Sequence, residues 1–331
     1  MAETTLPEEM IVSILSWLPV KSLIRFTCVS KRFHSLILSD PKFAQSQFRA
    51  ARDRKTPTPR LLCSSCFKLR APKFESLDLE SPSFGDFSSV RELKLPFQPA
   101  ANYVSLLGSC NGIVFLAFDY KIFYMWNPSI GFFKNLPHPG FSTNENDLHF
   151  YGVGYLPATD DYIVFVNSID FFDDKNESAI YSSRSQAWKT LVVDFDVFSV
   201  LSNQGILLKE ALHWVHDRDK ILAFDLAQEE EKHKFRAMLP PRDFNDHGGD
   251  YYFNHLGVSP STGGCLSLVR YRQSSADCIH VWVMREYDVR DSWTVYFEVF
   301  GPPRGVLVLH WRFGSGNWYG CLYKYMEARC Q

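Results

Sequence analysis

The sequence contains no long hydrophobic run and has little net charge. No window reaches the roughly 18 consecutive apolar residues that a membrane span requires, and the N-terminus, Met1-Ala2-Glu3-Thr4, does not have the composition of a signal peptide. The formal net charge of −2 favours neither a nucleic acid nor an acidic membrane surface as a partner. We therefore expect a protein of the cytoplasm, the nucleus or both, with no membrane and no nucleic acid among its partners.

Complete ligand sets for metals and nucleotides are also missing. Cys63-Ser64-Ser65-Cys66 has no second Cys or His pair at the spacing of a zinc site, and no strand-to-helix context that would activate a redox thiol. Gly152-Val153-Gly154 lacks the third glycine of a dinucleotide loop, and Gly263-Gly264 lacks the Lys and Ser/Thr of a phosphate loop. We expect both glycine pairs to form hairpin turns, and we expect no metal and no cofactor.

Residues for acid–base catalysis do not converge either. Asp160-Asp161, Asp173-Asp174 and Glu229-Glu230-Glu231 could be paired carboxylates for glycoside hydrolysis, but adjacent acids in turn-rich segments are typical of solvated loops. His213 and His216 would lie on the same face of a helix but on opposite faces of a strand. Their segment has the pattern of a strand. We interpret both histidines as structural, and we expect the chain not to be an enzyme.

What the sequence has in excess is apolar surface in its first 48 residues. Apolar side chains cover well over half of a helical wheel drawn from Met10 to Leu18, although a stripe of about 100° would be enough for one core. We expect Thr5 to cap this helix, Pro7 to lie in its opening turn and Pro19 to separate it from the next helix. A helical unit below about 40 residues usually needs a partner to be stable, so part of this surface is predicted to dock another protein.

After Arg60 the pattern changes to short apolar or alternating runs between turn residues, which is typical of β structure. Asn111-Gly112 is a strong hairpin signal, and several runs end in Leu-Pro. The runs form self-similar units of about 40 residues, the period of a propeller blade. We place these units at Leu61–Phe97, Leu106–Pro139, His149–Val192, Ser202–Arg242 and His255–Val299.

Two sets of motifs resemble known families. Leu6-Pro7-x-Glu9, Leu18-Pro19-x-Lys21-Ser22-Leu23, Cys28-Val29-Ser30-Lys31-Arg32-Phe33 and Ser39-Asp40-Pro41-Lys42-Phe43 resemble an F-box in the correct order. The rest, up to about Val299, resembles the F-box-associated, kelch-like domain that is abundant in plants and found in S-locus F-box proteins. Its marks are Gly108-Ser109-Cys110-Asn111-Gly112, Trp126-Asn127-Pro128-Ser129, Ala211-Leu212-His213-Trp214, Ile221-x-Ala223-Phe224-Asp225-Leu226 and Val281-Trp282-Val283-Met284-Arg285-Glu286-Tyr287.

The resemblance implies an α+β multidomain protein with a helical F-box at residues 1–48, a linker at 49–60 and a substrate-recognition β-propeller of about five recognisable blades at 61–331. It also implies an adaptor whose F-box binds the Skp-family subunit of a cullin ubiquitin ligase, while the propeller captures an unknown protein substrate. Carried over by position, the expected Skp contacts are Leu6, Pro7, Ile11, Leu15, Leu18, Pro19, Leu23, Val29 and Phe33, the last standing where many members have Trp.

The C-terminal segment departs from the family pattern. Val306 to Leu309, Trp311 to Gly314 and Trp318 to Tyr325 form no recognisable unit, so we expect a shortened C-terminus and a propeller whose closure is open to question. This leaves an alternative to the receptor, in which a decoy occupies the Skp adaptor without delivering cargo. A propeller hydrolase or oxidase is disfavoured, because no catalytic constellation is present.

Overall fold

The computed structural model describes two groups of elements along the chain, an N-terminal helical unit and a series of β-sheets. The described residues are 6–40, 43, 46–47, 50, 60–65, 73–78, 90–96, 101, 103–128, 131–141, 147–170, 175–217, 220–228, 235–242, 251–259, 264–272, 278–300, 307–309, 318–319 and 322–324. Within them, no helix is long and apolar enough to cross a membrane.

Three short helices form the N-terminal unit: α1 (Glu8–Ser16), α2 (Val20–Phe26) and α3 (Lys31–Ser39). Their ends follow local chemistry. Pro7 and Pro19 are the N-caps of α1 and α2, while the Ser30 side chain caps α3 by accepting a hydrogen bond from the Phe33 amide at 3.1 Å. The boundary at Pro19 is confirmed, but α1 begins one residue after Pro7, and Thr5, the cap we expected, lies outside the described residues.

The core of the helical unit is small. Leu15, Leu23 and Phe43 are buried in it, and partly buried apolar residues from all three helices surround them. Asp40 starts a further turn, because its carboxylate accepts a hydrogen bond from the Phe43 amide at 3.3 Å. The side-chain amide of Gln47 donates to the carbonyl of Leu18 at 3.3 Å, which holds this turn against the end of α1.

The rest of the described chain forms five four-stranded sheets and a two-stranded one. Sheets 2 to 5 are antiparallel meanders of consecutive strands. Sheet 2 contains β4 (Val104–Cys110), β5 (Ile113–Phe118), β6 (Ile122–Asn127) and β7 (Phe132–Leu136). Sheet 3 contains β8 (Asp147–Leu156), β9 (Asp161–Asp170), β10 (Lys175–Ser182) and β11 (Ala187–Leu191). Sheet 4 contains β12 (Ile206–Leu208), β13 (Ala211–His216), β14 (Lys220–Asp225) and β15 (Phe235–Met238). Sheet 5 contains β16 (Tyr251–Ser259), β17 (Cys265–Arg272), β18 (Cys278–Met284) and β19 (Trp293–Phe300).

Sheet 1 joins distant parts of the chain. It contains β1 (Arg60–Ser65), β2 (Lys73–Asp78) and β3 (Val90–Leu93), and a fourth strand, β21 (Trp318–Tyr319), pairs with β1 in parallel. The remaining strands, β20 (Leu307–Leu309) and β22 (Leu322–Lys324), pair with each other. The C-terminal segment, in which the sequence showed no recognisable unit, therefore contributes a strand to the first sheet.

Successive sheets pack on one another through shared hydrophobic cores. The first strands of sheets 2 to 5 contact each other in chain order, and four clusters of buried residues lie between sheets 1 and 2, 2 and 3, 3 and 4, and 4 and 5. This radial stacking of four-stranded sheets is the architecture of a β-propeller. The five predicted units coincide with the five sheets, so the predicted fold is confirmed.

Turn residues fix the register of the sheets where the sequence signal was strongest. Asn111 and Gly112 connect β4 to β5 with φ angles of 51° and 78°, the left-handed conformation at both central residues that a type I′ hairpin requires. Gly264 has a φ of 74° immediately before β17 and fits the predicted turn, whereas Gly263 lies outside the described residues.

Gly152 and Gly154 do not form the predicted hairpin turn. Both lie inside β8, and a Cβ atom added at Gly152 would lie 2.9 Å from a methyl carbon of Leu212. One added at Gly154 would overlap Leu226. These glycines are present because side chains from sheet 4 fill the space over the strand, not because the backbone turns there.

Candidate functional site

Apolar residues form two faces along α1. Each residue of one face is the immediate sequence neighbour of a residue of the other. Ile11 packs against the helical core, Leu15 lies inside it with 3% of its surface exposed, and Leu18 packs beside them. Met10 and Ile14 are each 52% exposed, and Trp17 is 65% exposed. Both series follow the i, i+4, i+7 spacing of a single helix face, so one face holds the unit together and the other is presented to solvent.

Further exposed apolar residues lie at the helix starts and the loops. Leu6 is 53% exposed before α1, Val20 is 40% exposed at the start of α2, and Val29 is 64% exposed between α2 and α3. Pro7 and Pro19 are also exposed. We call this set the docking face; it consists of Leu6, Pro7, Met10, Ile14, Trp17, Pro19, Val20 and Val29.

The nine residues predicted to contact the Skp adaptor fall into two groups. Leu6, Pro7, Pro19 and Val29 are exposed. The other five were also expected in the contact surface, but the structure places them in or against the helical core, because the same apolar side chains are needed to hold α1, α2 and α3 together; they are Ile11, Leu15, Leu18, Leu23 and Phe33. The exposed set also contains four residues that were not among the expected contacts: Met10, Ile14 and Trp17, which form the second apolar series of α1, and Val20 at the start of α2.

The charge on the helical unit lies beside the docking face. Glu8 and Glu9 occupy the first turn of α1, where a negative charge stabilises the helix dipole, and Glu8 forms an exposed ion pair with Arg32 of α3 at 3.1 Å. An exposed pair of this kind adds little stability, on the order of 0–1 kcal/mol. Stability of the helical unit therefore depends mainly on its small apolar core.

On the propeller, the predicted structural role of the histidines is confirmed for His213. It lies on β13 with its side chain fully buried, and its ring nitrogens are within hydrogen-bonding distance of the Ile206 carbonyl at 3.1 Å and the Tyr287 hydroxyl at 2.9 Å. Burial lowers the pKa of His213 to about 4, which keeps the ring neutral at physiological pH. His216, three residues on, lies at the end of the same strand and donates to the carbonyl of Asp196 at 3.0 Å.

The acidic pair Asp160-Asp161 is not the solvated loop that we expected. Asp161 is buried, and its carboxylate accepts hydrogen bonds from the hydroxyls of Ser182 and Ser183 at 2.6 and 2.9 Å and from the amide of Arg184 at 2.9 Å. It thereby ties the start of β9 to the turn after β10. Asp160 is exposed and accepts a hydrogen bond from the Tyr155 hydroxyl at 2.6 Å. These carboxylates hold turns together and do not face a common cleft.

The other predicted candidates are only partly described. Cys63 lies on β1 and Cys66 is outside the described residues, as are Asp173-Asp174 and Glu229-Glu230-Glu231. Among the residues that the structure describes, no group of three His, Cys, Asp or Glu side chains is arranged to hold a metal ion.

Family models match both parts of the chain. The F-box domain matches residues 4–45, and the F-box associated beta propeller domain matches residues 73–313. The second match extends beyond Val299, where the sequence resemblance was expected to end.

Curated relatives from Arabidopsis thaliana are similar over most of their length. An F-box/kelch-repeat protein is 30% identical over 89% of this chain and 80% of its own. F-box protein CPR1 is 29% identical over 90% of this chain and 74% of its own. Among solved structures, the β-propeller domain of Cps50 (Swd1) from Myceliophteria thermophila shares 12% identity with a TM-score of 0.38 over 74% of both chains.

Proposed function

Because the chain belongs to the F-box proteins that carry an F-box-associated β-propeller domain, we propose that it delivers protein substrates to a Skp-cullin-F-box ubiquitin ligase. An F-box joined to a propeller, together with F-box relatives, supports a general role as substrate receptor of such ligases. In the proposed division of labour, the docking face binds the Skp-family adaptor, which connects to the cullin, and the propeller holds the protein to be ubiquitinated. The chain itself performs no bond chemistry and needs no cofactor.

The observation that carries the proposal is the second apolar face of α1. Met10, Ile14 and Trp17 expose half or more of their side-chain surface on a single helix face, next to Leu6. Exposed apolar surface of this extent marks a protein interaction site rather than an ordinary solvated helix. Four of the nine residues that the F-box resemblance assigns to the adaptor contact, Leu6, Pro7, Pro19 and Val29, are exposed as well. The five others support it from the core, since they fix the positions of the helices that carry it.

Two features support a folded receptor over a decoy that binds the adaptor without cargo. Each of the five four-stranded sheets shares a core with at least one neighbour. In addition, Arg60 and Leu61 pair with Trp318 and Tyr319, which joins the first sheet to the C-terminal segment. A propeller with shared cores provides a rigid surface for cargo.

The adaptor contact is tested by binding a purified Skp-family adaptor to the full chain and to two matched variants. Ile14→Ala removes an apolar side chain from the docking face, and Leu38→Ala removes one of nearly equal exposure, 51% against 52%, from α3 outside it. We expect Ile14→Ala to weaken the affinity by about tenfold, the loss typical of an interface anchor, and Leu38→Ala to leave it unchanged. Equal affinities for both variants and the unmodified chain would refute the proposed docking face.

A further inference from the structure

The connection between β11 and β12 begins with a stretch, Val192 to Phe198, that alternates between buried and exposed residues although it belongs to no strand. Val193 and Phe195 pack against the core between sheets 3 and 4, and Val197 is buried with 1% exposed. The residues between them point outward and are exposed; we call them the outward stripe, and they are Val192, Asp194, Asp196 and Phe198. The stripe thus presents two carboxylates between two apolar side chains, with Val192 84% and Phe198 44% exposed.

Hydrogen bonds from two sheets hold the stripe in place. The Asp196 carboxylate accepts from the Phe198 amide at 3.1 Å and from the Ser199 hydroxyl at 2.5 Å, which fixes a 3-10 turn over Val197–Ser199. Nε2 of His216, on sheet 4, donates to the Asp196 carbonyl at 3.0 Å, and Nε2 of His149, on sheet 3, donates to the Val197 carbonyl at 3.0 Å. A surface fixed in this way loses little conformational entropy when a ligand binds.

The stripe is negatively charged. Between Val192 and Gly205 the chain has two Asp residues and no Lys or Arg. The hydrogen bonds from the Ser199 hydroxyl and the Phe198 amide lower the pKa of Asp196, which keeps its carboxylate ionised at neutral pH. Leu201, 51% exposed, adds a further apolar side chain beyond the turn. Such a surface complements a ligand that has cationic and apolar side chains and repels an acidic one.

We propose that the outward stripe and Leu201 dock an extended, basic and apolar segment of the protein that the propeller captures. Residues two apart in an extended chain lie on one side at a spacing of about 6.6 Å, and Val192, Asp194 and Asp196, which precede the 3-10 turn, are exposed in this alternating order. Lys or Arg side chains of the ligand face Asp194 and Asp196, while apolar side chains contact Val192 and Phe198. This inference rests on the proposed function, because it names the class of protein segment that the receptor would bind.

The test uses the full chain and fluorescent ten-residue peptides in three versions. All three have the same apolar residues at alternate positions, with Lys, Ser or Glu between them. We expect the Lys peptide to bind at least about tenfold more tightly than the Ser and Glu peptides, and its affinity to fall as salt rises from about 50 to 300 mM, since salt screens charge pairs. Equal binding of the Lys and Glu peptides would overturn the proposal.

Variants locate the binding on the surface. Asp194→Lys and Phe198→Ser are each expected to weaken binding of the Lys peptide by about tenfold. Their matched controls, Glu92→Lys on β3 and Phe132→Ser on β7, change exposed residues of similar chemistry on other sheets and are expected to have no effect; Phe132 is 51% exposed against 44% for Phe198. If Phe198→Ser proves unstable by thermal unfolding, Asp194→Lys, which alters a side chain outside the turn, decides alone. Unchanged binding by Asp194→Lys would overturn the proposal.

Binding of the Skp-family adaptor, measured on the same samples, separates this inference from the proposed function. Asp194→Lys should bind the adaptor like the unmodified chain while it loses the peptide, and this pattern supports both. A chain that binds the Lys peptide through the stripe but not the adaptor refutes the proposed function and leaves the stripe as a peptide site. A chain that binds the adaptor but shows no preference for the Lys peptide refutes the inference alone.

Discussion

The hydroxyl of Tyr287 lies 2.9 Å from Nε2 of His213, and this contact joins sheet 5 to sheet 4. The proton positions follow from the partners. The Ile206 carbonyl, 3.1 Å from Nδ1, can only accept, so Nδ1 carries the hydrogen and Nε2 of the neutral ring accepts from the Tyr287 hydroxyl. Arg236 donates to the same hydroxyl at 2.8 Å and forms an ion pair with Asp288. The Tyr287 hydroxyl thus donates one hydrogen bond and accepts another, so its removal has a predictable cost.

Tyr287→Phe is expected to lower the free energy of unfolding by about 1–3 kcal/mol, because Nε2 of the buried His213 loses its donor. Urea denaturation measures the difference. Tyr296→Phe serves as the control, since Tyr296 is 50% exposed and its change should stay within about 0.5 kcal/mol. Equal values for the two variants would show that the hydrogen bond between the sheets contributes no stability.

The stability of the chain should depend on pH through His213. In the unfolded chain the ring binds a proton near the ordinary pKa of 6.5, but in the folded protein only near 4. Between these pH values the unfolded state binds more protons than the folded state. The contribution of His213 to the free energy of unfolding is therefore fully present above about pH 6.5, and it falls as the pH drops towards 4, by up to about 3 kcal/mol.

The measurement is urea denaturation from pH 7.5 to 4.5 for the unmodified chain, His213→Gln and His34→Gln. His213→Gln should reduce the pH dependence and leave the part due to His149, whose pKa burial also lowers, whereas His34→Gln, which changes an exposed residue of α3, should preserve it. A slope that persists undiminished in His213→Gln would assign the pH dependence to other groups.

Neighbouring residues of α1 should respond in opposite ways to truncation. Leu15→Ala opens a cavity in the small helical core and should destabilise the helical unit by about 2–5 kcal/mol. Ile14→Ala removes a side chain that is 52% exposed and should change stability by less than about 0.5 kcal/mol. Hydrogen exchange of the α1 to α3 amides measures both changes. Faster exchange in Ile14→Ala than in Leu15→Ala would contradict the assignment of the two faces.

Gly205→Ala should destabilise the contact between sheets 3 and 4. A Cβ atom at Gly205 would lie 2.5 Å from the indole of Trp214, whose side chain is fully buried, and overpacking of this kind costs about 1–3 kcal/mol. Thermal unfolding measures the loss. Gly140→Asn is the comparison, because Gly140 has a φ of 86° with open space around it and Asn tolerates that conformation; a loss below about 1 kcal/mol is expected there.

Local signals in the sequence predicted the architecture of the propeller. Asn111-Gly112 specifies its hairpin because few other residue pairs adopt positive φ at both positions. The Leu-Pro pair recurs at strand ends because side chains of the next sheet pack against it there. The indole of Trp188 donates to the carbonyl of Pro137 at 2.6 Å, and the indole of Trp293 donates to that of Leu239 at 3.1 Å. Patterns that repeat in every unit are visible without knowledge of the fold.

Features that depend on contacts between distant segments were not predictable. Ile11 and Ile14 belong to series with the same helical spacing, and only the packing of α2 and α3 decides which series is buried. The sequence around Gly154 has the pattern of a turn. A glycine is needed there because the side chain of Leu226, far away in the sequence, fills the space above the backbone. Asp161 had the pattern of a solvated acid because its three donors lie at the end of β10 and just after it, far from Asp161 in the sequence.

The pairing of Arg60 with Trp318 has a consequence for the order of folding during synthesis. The helical unit and sheets 2 to 5, which end at Phe300, are synthesised before Trp318, whereas β1 has to wait for its parallel partner. Pairing of segments so far apart in sequence is slow, because a long loop must close first. The nascent chain would therefore expose the docking face before the first sheet is finished, and products that stop short of Trp318 would keep that face while lacking a strand.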